Sequence, residues 1–120
     1  MIKPTRYYSN KQEKAVAKAV GGKQTANSGA TAFSKGDVQA GEFLIECKTS
    51  VTQKKAFSIK EEWLDKLREE TFGMGKSAYA LCFDFGPRDN LRYYVISERE
   101  FEEYKYLKES YNGKDSQICN

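Results

Sequence analysis

The sequence predicts an α/β protein, with a central mixed β-sheet flanked by helices in the order αβββαββα. Three observations carry that prediction. Capping-box pairs, Ser9 with Gln12, Ser58 with Glu61 and Ser97 with Glu100, open three segments of helical character. In the stretch 43–49, Leu44, Glu46 and Lys48 alternate with Phe43, Ile45 and Cys47, which is strand periodicity with one apolar face and one ending in charge. The run "SAYALCFDF", 77–85, is nearly all apolar, as expected of a central strand covered on both faces.

Taken in order, the first helix is expected over about Asn10 to Val20, ended by the glycines at 21 and 22. Glu13, Val16, Ala17 and Val20 fall at i, i+3, i+4 and i+7, so an acid lies on the core-facing stripe. Lys11, Lys14 and Lys18 form a basic stripe beside it. The Gly-, Ser- and Thr-rich segment that follows reads as a flexible loop leading to a short strand near Thr31 to Phe33. Asp37 to Ala40 and Phe43 to Thr49 read as two strands joined by a tight turn at Gly41, which pairs them antiparallel with Asp37 and Glu46 near one end.

A second helix is expected after Ser58, with Ile59, Trp63, Leu64 and Leu67 as its apolar face and Gly73 and Gly75 as its stop. After the central strand, "GPRDN" turns the chain into the strand "LRYYVI". The third helix opens at Ser97 with Phe101, Tyr104 and Leu107 expected inside, and a polar tail follows Tyr111.

At 120 residues, 39% hydrophobic and 31% charged, the chain suits one domain spanning 1–120. It contains no internal repeat, and no apolar stretch is long enough to span a bilayer. The N-terminal stretch lacks the apolar core of a secretory signal, and the three cysteines, Cys47, Cys82 and Cys119, are odd in number and widely spaced. A reducing, cytoplasmic setting is therefore expected.

Histidine is absent, which excludes Ser-His triads, Cys-His dyads and Cys/His zinc sites. Any catalysis must use carboxylates, Lys, Tyr or Ser. The net charge of +3 conceals a split: residues 1–60 hold 11 Lys/Arg against 4 Asp/Glu, and residues 61–120 hold 9 against 13. The basic half, which contains the charged strand, suits a polyanionic partner.

Residues two apart on a strand lie roughly 6.5 to 7 Å from each other, so Glu46 and Lys48 can address one small ligand or ion. A satisfied ion pair fits the same spacing. Carboxylates held close, however, are costly unless a cation relieves their repulsion, and hard oxygen donors such as Asp37 and Glu46 suit Mg²⁺ or Mn²⁺. A cation there, with Lys48 beside it, is suited to phosphodiester hydrolysis.

"GD" at 36–37 followed by "ECK" at 46–48 resembles the PD-(D/E)XK nuclease motif, with Gly36 where the family often has Pro. The inward Glu13, the Gly/Ser loop, the hairpin with ExK and the stretch "FSIKEEWLDKLREETFGMGKSAYALCFDFG" extend the likeness over residues 9 to about 96. This is similar to the small Holliday-junction-resolvase-like branch of that superfamily, particularly its short bacteriophage-encoded versions.

The resemblance implies a restriction-endonuclease-like core and a Mg²⁺-dependent endodeoxyribonuclease in which Mn²⁺ can substitute. It assigns Asp37, Glu46 and the carbonyl of Cys47 to the metal, Glu13 to the metal directly or through water, and Lys48 to catalysis. Ser28 in "ANSGAT" matches a loop serine needed for cleavage, and Lys60 a phosphate contact. Lys11, Lys14, Lys18, Lys23 and Lys35 are expected to line the DNA, with the acidic third helix facing away. The implied substrate is a four-way junction or other branched DNA, bound by a homodimer, in the host cytoplasm if phage-encoded. Alternatives are a duplex-nicking or restriction-type nuclease and, outside enzymes, a catalytically silent DNA-binding module of the same fold.

Overall fold

A computed structural model describes residues 5–25, 37–88 and 91–118, with the side chains of 5–9, 37 and 113–118 outside that description. Helix α1 runs Thr5–Val20, so it begins before the expected capping box and Ser9 lies inside it. A proline one position ahead of Thr5 in the sequence is itself a helix-start signal. Gln12, Glu13 and Val16 are buried, whereas Val20, expected on the inner stripe, is 37% exposed at the last turn.

Strand β1 is the two-residue Lys23–Gln24, within the segment read as loop, and the strand expected near 31–33 lies outside the described residues. Strands β2 (Asp37–Ala40) and β3 (Phe43–Lys48) form the expected hairpin, with Asp37 opposite Glu46 and Ala40 opposite Phe43. Gly41 has φ +57 and Glu42 a negative φ, the pattern of a two-residue II′ turn, which demands glycine first.

Helix α2 (Glu61–Gly73) starts later than Ser58 predicts: Lys60 holds the N-cap in an extended conformation with no side-chain cap bond. Glu61 and Glu62 in the first turn complement the helix dipole instead. The helix carries the chain from β3 to β4 (Ala78–Phe83), which pair in parallel, and β5 (Tyr93–Ile96) adds antiparallel at the edge. Among the described residues the sheet order is β1-β2-β3-β4-β5, a mixed five-stranded sheet in an α/β fold with three helices.

Alternation along the strands sorts the core into two faces. Val16 of α1 packs with Val38, Ile45, Ala80 and Cys82 on one, and Leu67 of α2 packs with Leu44 and Leu81 on the other. Each buried Val, Leu or Ile of this set contributes roughly 1.5–3 kcal/mol.

Helix α3 (Glu98–Ile118) is capped as expected, Glu100 N donating to Ser97 Oγ at 3.3 Å, and it continues through the polar tail. Its expected inner residues are outside: Phe101, Tyr104 and Leu107 are 51%, 56% and 57% exposed. The helix follows the edge strand β5. No helix among the described residues is long and apolar enough to cross a membrane.

Candidate functional site

Because Leu44 faces α2, strand alternation places Glu46 and Lys48 on that same face, toward the C-terminal end of β3. There Lys48 Nζ lies 3.8 Å from Glu46 Oε1, inside ion-pair range but too long for a hydrogen bond. The other carboxylate oxygen, Oε2, is buried without a hydrogen-bond partner. Among the described residues that half of the carboxylate has no hydrogen-bond partner, as Gln12 Oε1 has none. Burial pushes the Glu46 carboxyl above its ordinary range, and the charges of Lys48 and Lys66 pull it partly back.

Trp63 supplies the floor. Lys48 Nζ sits 4.4 Å from its ring centroid and Lys60 Nζ 5.8 Å, so one indole meets two cations. Sequence reasoning placed Trp63 only in the core. Its cation-holding role follows from the convergence of Lys48 from β3 and Lys60 from the N-cap of α2 on one ring.

Glu70 on α2 was also missed. It is buried, with Lys66 Nζ 4.0 Å away, and its carboxyl is raised by burial, lowered by Lys66 and raised again by the negative charge of Glu46. The signal was present: Trp63, Leu67, Glu70 and Thr71 fall at i, i+4, i+7 and i+8, an acid on an inward helical stripe, as at Glu13.

Asp37 occupies the ladder position opposite Glu46; its side chain lies outside the described residues, as do Ser28 and Lys35 altogether. Glu13 stays on the α1 side of the sheet, where Gln24 Nε2 donates to its Oε1 at 3.2 Å. The fold thus joins Glu46, Lys48 and Lys60 on one face and keeps Glu13 on the other. Cys47 points its side chain into the α1-side cluster, as expected. Lys11, Lys14, Lys18 and Lys23 are exposed. Among the described residues no group of three or more acidic or thiol side chains is gathered to hold a metal ion.

A second polar cluster fixes the end of β3 from below. Gln12 Nε2 donates to the main-chain carbonyl of Lys48 at 2.7 Å and to Asp84 Oδ2 at 3.1 Å. Thr49 Oγ1 donates to Asp84 Oδ1 at 2.9 Å, and Gly86 N to the same oxygen at 3.1 Å. Helix α1, the exit of β3 and the exit of β4 are thereby tied at one buried carboxylate.

No family model, curated protein or solved structure matches the chain. The functional reading therefore rests on the residues of the site.

Proposed function

We propose that the chain is a divalent-metal-dependent endodeoxyribonuclease of the PD-(D/E)XK type that cuts branched DNA. The observation that carries this reading is the register of the β2–β3 hairpin, which sets Asp37 opposite Glu46 with Lys48 two positions on, beside a buried Glu46 oxygen that has no partner among the described residues. Hard oxygen donors of this kind suit Mg²⁺, with Mn²⁺ as substitute. Asp37, Glu46 and the main-chain carbonyl of Cys47 would hold it; Glu13, on the α1 face with Gln24, is not among these ligands. The repulsion between Glu46 and Glu70 is a further charge that a cation relieves.

When bound, such an ion lowers the pKa of a coordinated water and stabilises charge on the phosphate. The chain's own groups do the rest. Lys48, held over Trp63, would orient the attacking water, accept its proton if itself neutral, or, as the ammonium, neutralise the charge growing on the phosphoryl oxygen. Lys60, on the same indole, contacts the neighbouring phosphate. Gln12 fixes the Lys48 main chain, so the ammonium starts from a rigid base. The exposed Lys11, Lys14, Lys18 and Lys23 supply the sequence-independent attraction for the phosphate backbone.

Paired incision of a four-way junction needs two such sites, so two copies would act on one junction. Incubation of labelled junction, duplex and single strand with Mg²⁺ or EDTA tests the reading, with Glu46→Gln as the inactive control.

A further inference from the structure

A groove of about 590 Å³ opens beyond the C-terminal ends of β3 and β4, between residues 53–55 on one side and Phe85, Arg88, Leu91 and Tyr93 on the other. Three cations, Lys54, Lys55 and Arg88, surround it, and Phe85 and Tyr93 give it aromatic walls. None of the three cations is in an ion pair with a described carboxylate. All three side chains are exposed to solvent, so the groove presents positive charge that complements a polyanion.

The groove is built rather than incidental. Lys54 N donates to the Phe85 carbonyl at 2.7 Å, and Arg88 N donates to Gln53 Oε1 at 3.1 Å, so the two loops are clamped across it. Gly86, at φ +148, lets Gln53 approach so closely that a Cβ there would lie 2.6 Å from the Gln53 Cα. Any other residue at 86 would push the loops apart. Asp84, which anchors the end of β3 through Gln12 and Thr49, also accepts from Gly86 N, so the groove and the Lys48 strand share one buried support.

Aromatic rings connect the two places. Trp63, under Lys48, lies 6.2 Å from Phe57, which stacks on Phe83 at 4.7 Å. Phe83 in turn lies 5.7 Å from Tyr93, and Phe85 meets Tyr93 edge-on at 5.7 Å. Tyr93 remains 45% exposed at the groove end of this ribbon. A positive groove with exposed aromatic walls is the chemistry that holds unpaired nucleotides, phosphates on the cations and bases on the rings.

We propose that the groove of Lys54, Lys55, Arg88, Phe85 and Tyr93 is a binding site for single-stranded nucleic acid, and that it selects substrates carrying unpaired nucleotides beside the cut. Its role beside a cleavage centre rests on the nuclease reading; its binding chemistry does not. A paired duplex keeps its bases stacked inside and offers the groove phosphates alone, whereas an opened junction or flap offers both.

The test measures fluorescence anisotropy of a labelled oligothymidylate of about ten nucleotides, within the site sizes typical of such grooves, in EDTA so that nothing is cut. Replacing all three cations, Lys54→Gln, Lys55→Gln and Arg88→Gln, should weaken single-strand binding at least tenfold and reduce the log-log salt slope by about two. Tyr93→Leu should weaken single-strand binding about tenfold while leaving blunt duplex binding unchanged. Each charge is also removed singly, with unfolding midpoints measured, so that a misfolded triple variant leaves the test standing. Single-strand affinity and salt slope equal to wild type in the charge variants overturn the proposal, as does a Tyr93→Leu loss equal for duplex and single strand. Failure here with metal-dependent cleavage intact removes the groove alone. Loss of single-strand binding in these variants, in a protein that never cleaves, supports the groove and removes the nuclease.

Discussion

Gln12 of α1 donates its side-chain amide to the main-chain carbonyl of Lys48 at 2.7 Å, linking residues 36 positions apart in the chain. The same amide donates to Asp84, and Gln12 is only 6% exposed. A helix, the ExK strand and the central strand thus meet at one nitrogen.

Gln12→Ala leaves a buried carbonyl and a buried carboxylate without this donor, a cost of about 1–3 kcal/mol. Urea unfolding should show that loss, and cleavage should fall with DNA affinity preserved, because the base of Lys48 loosens while the surface lysines do not change. A loss of stability with cleavage at the wild-type rate would make Gln12 a fold anchor alone.

Glu46 and Glu70 give stability a pH signature. Burial raises both carboxyls, so just above the ordinary carboxylate range the folded state retains protons that the unfolded chain has released. Their favourable contribution is fully present below that range and is lost as pH rises through the raised values. Glu46→Gln removes one of these titrations at constant size. In EDTA its unfolding midpoint should gain on wild type as pH rises from the acid side to neutrality. A variant that falls further behind wild type over that interval would mean that the Lys48 pair, and not burial, governs Glu46.

A divalent cation should reverse the same penalty. At a hundredfold excess over its Kd, Mn²⁺ would stabilise the folded chain by about 2.7 kcal/mol, a rise of roughly 10 °C in Tm. Asp37→Asn and Glu46→Gln should each remove most of that rise. A wild-type Tm indifferent to Mn²⁺ would contradict a metal site built from these two acids.

Lys48→Ala separates catalysis from structure. The ammonium lies 3.8 Å from Glu46 and 4.4 Å from the Trp63 centroid. Its loss should lower the cleavage rate by orders of magnitude while the Mn²⁺-dependent rise in Tm persists. The opposite pattern, a stability loss with the rate unchanged, would identify a structural ion pair.

Much of this site was legible in the sequence because its signals are local. Gly41 sets a two-residue turn, the turn fixes the register, and the register sets Asp37 opposite Glu46. Ser97 likewise announces α3 through a bond to its own first turn. What escaped depended on tertiary packing. Gln12 is a buried polar residue whose partners lie on other elements, Glu70 pairs with Lys66 on its own helix but is buried toward Glu46 of β3, and Trp63 reads as core until Lys48 and Lys60 converge on it. Ser58 and Ser9 show capping spacing without capping, because Glu61 and Glu62 open α2 and α1 has already begun at Thr5. The stripe of Phe101, Tyr104 and Leu107 has core periodicity yet stays exposed, since periodicity says which side of a helix is apolar and not what covers it.

The most direct measurement maps products from labelled four-way junction, duplex and single strand, with Mg²⁺ or EDTA, for wild type and Glu46→Gln, alongside light scattering with and without junction. The account predicts paired cuts near the branch point in Mg²⁺, a dimer on the junction, and no cuts in EDTA or with the variant. Cleavage that persists in EDTA, or Glu46→Gln cutting at the wild-type rate, would contradict it.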